Sequence, residues 1–413
     1  MVDEPARPMC WRVAIVGGGP AGLAAAMALR RRGVEGVVVL EREAEPGGVP
    51  RHCGHPVFGL CEFGRPLSGP AYARRLAEAA RAAGVDVRIK ASVLRLGQGG
   101  QLEVATPAGL ARVEAERVIL ATGIRESPRS ARLVGGERPW GVVTTGALQA
   151  FVYLEGLRPF RRPVIVGTEL VSFSAILTAH KAGIRPVAML EEGSRTTARW
   201  PSAWALRLLG IPVRFGTRIV EICGKAQVEA VGIVDSEGRR DRIACDGVVF
   251  TGCFVPAAEL VRMSHLALDP GSGGPAVDQY GRCADPAFFA AGNLLRPVET
   301  AGWCYREGAR VGNLVADDLA GRLPAAACEI RIARGSGIKL AVPQRIAVPA
   351  GGGLDIIQLR VDRPVRGALQ VEADGKLIWH RRMAALPERR LTVPLRSLAI
   401  PDGTASLRIG FGD

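Results

Sequence analysis

The stretch Gly47-Gly48-Val49-Pro50-Arg51-His52-Cys53-Gly54-His55 brings two imidazoles and a thiol within four consecutive positions. Imidazole titrates near neutrality and can lower the pKa of a neighbouring thiol. His52, Cys53 and His55 are therefore the candidate catalytic residues, as a base or a gated thiolate. A packing loop without chemistry explains the same residues as well. Zinc is not expected, because the spacing matches no standard ligand pattern. The nine cysteines are odd in number and contain no C-x-x-C pair, which disfavours a disulfide framework, a structural zinc and an iron–sulfur cluster. Cys53 and Cys61 stand eight positions apart, so electron transfer through a closely spaced thiol pair is disfavoured too. His180 and His265 read as structural.

A second constellation is built from glycine. Gly17-x-Gly19-Pro20-Ala21-Gly22 follows the apolar run VAIV and opens an alanine-rich helical stretch. Gly17 suits the tight strand-to-helix turn, Gly19 lets the backbone approach a pyrophosphate, and Gly22 lets the helix pack against the sheet. The helix N-terminus then offers free N–H groups and a partial positive charge to phosphates. Glu41, nineteen residues past Gly22, ends the next strand where a carboxylate can accept from a ribose hydroxyl. Further along, PVIVGTELVSFSA repeats the pattern with only Gly167 surviving; Glu169 and Ser172 stand at the second and third glycine positions. A glutamate there puts a side chain and a negative charge where pyrophosphate should lie. Weak or absent NAD(P)H binding is expected; the alternative is a shifted loop that still binds NADH. Glu191, at the end of the following strand, disfavours NADP.

These motifs need elements to hold them. Strand-like and helical stretches alternate from Arg12 to about Gly123, with a helix around Tyr72–Ala83, which is the βαβ pattern of a parallel sheet. A second cycle runs from Arg162 to GVVFTG near 247–252, and PAFFAAGN then leads to a helix over roughly Trp303–Leu319. From Cys328 onward, short alternating segments such as LDIIQLRV and GALQVEAD are separated by Pro, Gly and Asp-Gly turns, predicting a small antiparallel β-domain. The expected fold class is α/β, with two Rossmann-like dinucleotide-binding domains and this C-terminal β-domain. A discontinuous first domain is expected over 1–130 and 255–325, the degenerate second over 131–254, and the β-domain over 328–413. With 48% hydrophobic and 23% charged residues, the composition is that of a soluble globular protein, and no run is apolar enough to span a bilayer. Met1 to Cys10 lacks the apolar region of a secretory signal, so a cytoplasmic location is expected. The net charge is +14, but aromatics are 5% and no basic run is interleaved with them, so no nucleic-acid partner is expected.

After Glu41 come Gly47-Gly48, then VILATG at 118–123 and FFAAGN at 288–293. Together with the first glycine motif, this combination resembles the two-dinucleotide-domain flavoproteins, the broad family containing thioredoxin reductase and glutathione reductase. The resemblance covers about residues 12 to 320 and implies FAD as cofactor. It extends the expected binding set beyond Gly17, Gly19, Pro20, Ala21, Gly22 and Glu41 to Arg42, Gly47, Gly48, Val93, Ala121, Thr122, Gly123, Gly292, Asn293, Gly302 and Trp303. Asn293 stands where the family has aspartate, and an amide can still hydrogen-bond a ribityl hydroxyl. The helix starting near Gly302-Trp303 would point its positive end at the flavin pyrimidine ring. The resemblance also carries the His52–His55 loop close to the flavin, and Cys304 is expected to line that pocket.

LSGPAYARRL, GTELVSFSA, AAGNLLRPVETAGWC and LAVPQRI resemble a narrower group. It comprises FAD subunits of anaerobic glycerol 3-phosphate oxidation systems, hydrogen cyanide synthase and dye-linked amino-acid or opine dehydrogenases. Some relatives carry a C-terminal [2Fe–2S] module; with only Cys328 near that end, none is expected here. The resemblance implies an FAD-dependent oxidoreductase, the electron-transferring flavin subunit of a heteromeric dehydrogenase that acts on a small-molecule substrate of amino-acid, opine or glycerol phosphate type. It also implies a partner dehydrogenase or iron–sulfur subunit and an oligomeric state. The alternatives are a self-sufficient NADH-dependent flavin reductase and a non-catalytic FAD-binding assembly subunit.

Overall fold

A computed structural model describes residues 8–198, 210–325, 328–348, 352–387 and 389–412. Residues 1–7, most of the segment read for a secretory signal, lie outside the described residues. The chain divides into two compact units: residues 1–48, 73–124 and 256–413 form the first, and 49–72 with 125–255 form the second. The sequence boundaries fall elsewhere: residues 49–72 go with the second unit, and the C-terminal β-domain goes with the first.

In the first unit the strand Met9–Val16 lies between Val37–Leu40 and Gly109–Leu120, parallel to both. Asp86–Arg88 extends the sheet beyond Val37–Leu40, and Phe288–Ala290 pairs in parallel with Gly109–Leu120. The VAIV run is buried throughout, as expected where a parallel strand is covered on both faces. Register sets which residues meet at the sheet's edge. Val16 pairs with both Leu40 and Leu120, and Ala290 pairs with Leu120. Gly17, Glu41, Ala121 and Ala291 therefore emerge side by side at the carboxyl edge of the sheet, where open α/β folds bind their ligands. The helix Pro20–Arg31 packs against the long helix Ala301–Leu319 through glycine: a Cβ on Gly308 would fall 2.0 Å from the Ala21 carbonyl oxygen, and one on Gly312 would fall 2.5 Å from that of Ala25.

The strands between Cys328 and Gly412 form a sandwich within the same unit. Five strands make one sheet and three the other, and Ile332, Ile346, Ile357, Leu359, Val371, Leu407 and Ile409 fill the space between. One pairing departs from the antiparallel expectation. The last strand, Ser406–Gly412, inserts between Cys328–Arg334 and Val365–Ala373, and runs parallel to the former. No hairpin joins first strand to last, so nothing local dictates their direction. The sandwich docks through polar contacts: Val277 N–H donates to the Gln344 side chain at 2.8 Å, and Gln279 exchanges two bonds of 2.7 Å with the Ala347 backbone.

The second unit repeats the first sheet on a smaller scale, in the order Val213–Arg214, Ala188–Leu190, Pro163–Val166, Gly247–Phe250 and Val142–Thr144, all parallel. Val166 pairs with Leu190 and Phe250, so Gly167, Glu191 and Thr251 again emerge together.

Candidate functional site

At the carboxyl edge of the first sheet the chain makes a narrow turn. Gly17 has φ +109°, and Gly22 is crossed by backbone so closely that a Cβ there would lie 2.0 Å from the Gly17 carbonyl oxygen. Gly19 differs: a Cβ on it would meet nothing nearer than the Gly48 Cα at 3.9 Å. The turn is closed below and open above, which is the shape a pyrophosphate requires at a helix N-terminus. Pro20 begins that helix and has no N–H to leave unsatisfied. Glu41 is buried; its Oε2 accepts from Gly18 N–H at 2.8 Å and its Oε1 from Glu43 N–H at 2.9 Å. Each oxygen keeps a second lone pair for a ribose hydroxyl. Gly47 N–H donates to Gly18 O at 2.7 Å, which holds Gly47-Gly48 beside the turn. Arg42 is exposed and pairs with Glu43 at 3.3 Å, while Val93 packs on the core of the unit. Thr122 Oγ1 donates to Ala257 O at 2.8 Å, fixing the end of the Ala121-Thr122-Gly123 segment.

The late loop is held by groups that the sequence did not single out. Gly292 N–H donates to Glu307 Oε2 at 2.8 Å, and Glu307 pairs with Arg296 at 2.6 and 3.0 Å. Arg296 is 1% exposed and its Nε donates to Gln358 of the β-domain at 2.8 Å. Burial opposes the charge on this guanidinium, but Glu307 outweighs it and holds the pKa up. Asn293 spends both ends of its amide on Glu299, accepting from its N–H at 2.7 Å and donating to its carbonyl at 3.0 Å. The long helix begins after Thr300, whose hydroxyl accepts from Trp303 N–H at 3.3 Å and leaves Gly302 in the first turn. This glycine-lined edge, with the buried Glu41 carboxylate at the end of the second strand and the Glu307 and Glu299 carboxylates each paired with arginine, fits an FAD.

In the second unit the equivalent turn is filled. Glu169 occupies the N-cap of the helix Leu170–Lys181, and its Oε2 accepts from Ser172 Oγ at 3.0 Å and Thr251 Oγ1 at 2.8 Å. Burial raises its pKa above the usual carboxylate value, against those hydrogen bonds. Glu169 stands at the N-cap position that Gly19 holds in the first unit, so this turn carries a side chain and a carboxyl group where the first has neither. Glu191 is also engaged, accepting from Thr168 Oγ1, and from Gly193 N–H at 2.9 Å.

The same unit gathers the candidate catalytic residues. Gln149, on the helix Thr145–Tyr153, accepts from Cys53 Sγ at 3.3 Å and lies 3.4 Å from His52 Nδ1. Its amide donates to Ser174 Oγ at 2.7 Å, and Ser174 meets His55 Nδ1 at 3.1 Å. Burial lowers the His55 pKa and pushes the Cys53 thiol up to about 12, which disfavours a gated thiolate. Glu126 lies beside them at the helix start, accepting from Gly146 N–H at 2.7 Å, with its pKa raised by burial. Gln149, Ser174 and Glu126 left no signal in the sequence, because single polar residues more than seventy positions away carry no spacing. Among the described residues no cluster could hold a metal. His265 pairs with Asp285 at 2.8 Å on the first unit, and Cys304 is buried with its thiol pushed up to about 12. Alkylation at pH 8 is therefore expected to modify exposed Cys10, Cys61, Cys253 and Cys328 and to spare Cys53, Cys245, Cys283 and Cys304. Peptide mass mapping reads this directly; rapid labelling of Cys53 would return a thiolate to the site.

Residues 11–308 match the pyridine nucleotide-disulphide oxidoreductase family. The chain is 27% identical over 363 residues to sarcosine oxidase subunit alpha of Rhizobium meliloti (strain 1021), an alignment covering 80% of this chain but 32% of that protein. It is 30% identical over 312 residues to the ferredoxin--NAD(+) reductase subunit of the benzene 1,2-dioxygenase system of Pseudomonas putida, covering 71% and 70%. Hydrogen cyanide synthase subunit HcnB of Pseudomonas aeruginosa is 28% identical over 341 residues, covering 74% of this chain and 69% of its own length. Among solved structures, T. acidophilum thioredoxin reductase has the same fold, with a TM-score of 0.64, 22% identity, and coverage of 75% of this chain and 98% of its own. No helix among the described residues is long and apolar enough to cross a membrane. With the glycine turn, the buried Glu41 and the match across 11–308, the chain belongs to the pyridine nucleotide-disulphide oxidoreductase family and is an FAD-dependent oxidoreductase.

Proposed function

We propose that the chain is the electron-transferring flavin subunit of a heteromeric dehydrogenase for a small metabolite, and that its electrons pass to an acceptor other than NAD(P). The observation that carries this reading is Glu169, whose carboxylate lies against Ser172 and Thr251 at the N-terminus where a nicotinamide dinucleotide would set its pyrophosphate. FAD, when bound, supplies reversible two-electron chemistry. The chain's own residues bind and orient it: the Gly17–Gly22 turn and the helix from Pro20 would take the pyrophosphate, Glu41 a ribose, and Gly292 and Asn293 the ribityl side. His52 and His55, tied together through Gln149 and Ser174, would handle the substrate proton. Subunit status has support from the names of two relatives, sarcosine oxidase subunit alpha and hydrogen cyanide synthase subunit HcnB. The partner would be a dehydrogenase or iron–sulfur subunit.

A second reading, a self-sufficient NADH-dependent reductase, draws on the 30% identity to a ferredoxin--NAD(+) reductase subunit. Anaerobic titration separates the two. The flavin is expected to stay oxidised for minutes with NADH at about 1 mM, the upper end of ordinary KM values. Rapid bleaching at micromolar NADH would sink the subunit reading.

A further inference from the structure

The strand Ile356–Val361 is buried at almost every position, yet it alternates in chemistry. Ile357, Leu359 and Val361 fill the sandwich core, while Gln358 and Arg360, 5% and 9% exposed, project to the other face. Buried polar residues on a strand need partners. Both find them in the loop between Gly292 and Trp303. Gln358 accepts from Arg296, which pairs with Glu307, which in turn accepts from Gly292 N–H. Arg360 pairs with Glu299 at 2.8 Å and donates to Val298 O at 3.2 Å, and Glu299 is the residue whose backbone holds the Asn293 amide. A third residue of the β-domain, Arg390, pairs with Glu299 at 2.5 Å and lays its guanidinium 3.6 Å from the centre of the Trp303 ring. Among these five side chains three guanidiniums (Arg296, Arg360, Arg390) face two carboxylates (Glu299, Glu307), so positive charge is in surplus, and Arg306 is a further cation 5.6 Å from the centre of the same Trp303 ring.

We infer that the C-terminal β-domain is a working part of the flavin site: Gln358, Arg360 and Arg390 position the loop from Gly292 to Trp303, and their surplus charge favours the reduced, more negative cofactor. The inference rests on the reading that this loop lines the ribityl and pyrimidine side of FAD. Charge near a bound redox group shifts its potential because the interaction is stronger inside a protein than in water. An electrostatic role and a packing role then predict different signs.

The test uses the full chain loaded with FAD and measures the midpoint potential by anaerobic dye equilibration. Arg390→Leu is expected to lower the potential and Glu299→Gln to raise it. Each shift is expected to be about 30 mV, a tenfold change in the oxidised-to-reduced ratio for a two-electron couple. Arg390→Lys is expected to restore the parent value. Glu299→Gln is close to isosteric, so it remains informative if Arg390→Leu fails to fold. Unchanged potentials in folded variants, or shifts in the same direction for both, would overturn the inference. Gly292→Ala tests the premise separately: its Cβ would lie 2.8 Å from that of Ala21 at φ +75°, so FAD is expected to be lost. A Gly292→Ala chain that keeps its FAD removes the premise, whereas normal potentials alongside a flavin-free Gly292→Ala chain remove the β-domain's role alone.

Discussion

Gly22→Ala is expected to give a folded chain that purifies nearly colourless, with FAD affinity reduced at least about 100-fold, or about 2.7 kcal/mol. The substitution adds one methyl group. It would lie 2.0 Å from the Gly17 carbonyl oxygen and 3.2 Å from Ile15 Cγ2, so backbone must move. Gly17 cannot yield easily, because its own Cβ position lies 2.5 Å from the Ala121 carbonyl oxygen. The helix from Pro20 must instead lift off the sheet, carrying its N-terminal N–H groups away from the pyrophosphate position. Overpacking of this kind costs about 1–3 kcal/mol in stability, which a protein of this size can survive. The ratio of flavin absorbance to protein absorbance measures the loss. Ser172→Ala, at the matching position of the second unit, is the control and is expected to leave flavin content unchanged. Full flavin occupancy in Gly22→Ala would move the FAD site away from this turn.

The contrast between these two positions also marks how far the sequence could be read. Gly17, Gly22 and Glu41 were legible because each job is local: a turn, a crossing and a strand end succeed one another within twenty-five residues. The substitution of Glu169 was legible as a fault in the second turn. Its stabilisation was not, since Thr251 reaches it from a strand eighty-two positions away. The same limit hid Arg296, Glu307 and Gln358. Arg296 and Gln358 lie sixty-two positions apart and meet only when the β-domain docks. Gly308 and Gly312 had a signal, two glycines four apart on a helix, but the sequence does not say which helix they face. The alternation in IIQLRV suggests a strand with a wet face; that face is buried against the loop instead, because sheet periodicity reports two faces and not what covers them.

Glu307→Ala should have the largest effect on stability. It removes the acceptor of Gly292 N–H and leaves the Arg296 guanidinium, 1% exposed, without its counter-charge. The contacts that remain to Arg296 are Gln358 at 2.8 Å and Gly292 O at 3.4 Å, both neutral. Breaking one partner of a buried pair costs about 3–5 kcal/mol, because the surviving charge stays desolvated. The paired double variant Arg296→Met with Glu307→Leu should recover most of that loss, since apolar groups of similar volume replace a buried ion pair at little cost. Flavin binding should not recover with it. The Gly292 N–H would still lack its acceptor, and the link from Gln358 through Arg296 to the loop would be gone. Urea denaturation followed by FAD titration separates the two quantities: stability near the parent value with weakened FAD binding identifies the pair as a device for the cofactor loop. A Glu307→Ala chain within about 1 kcal/mol of the parent would mean that the pair contributes no more than a surface ion pair, and the double variant would then have nothing to restore.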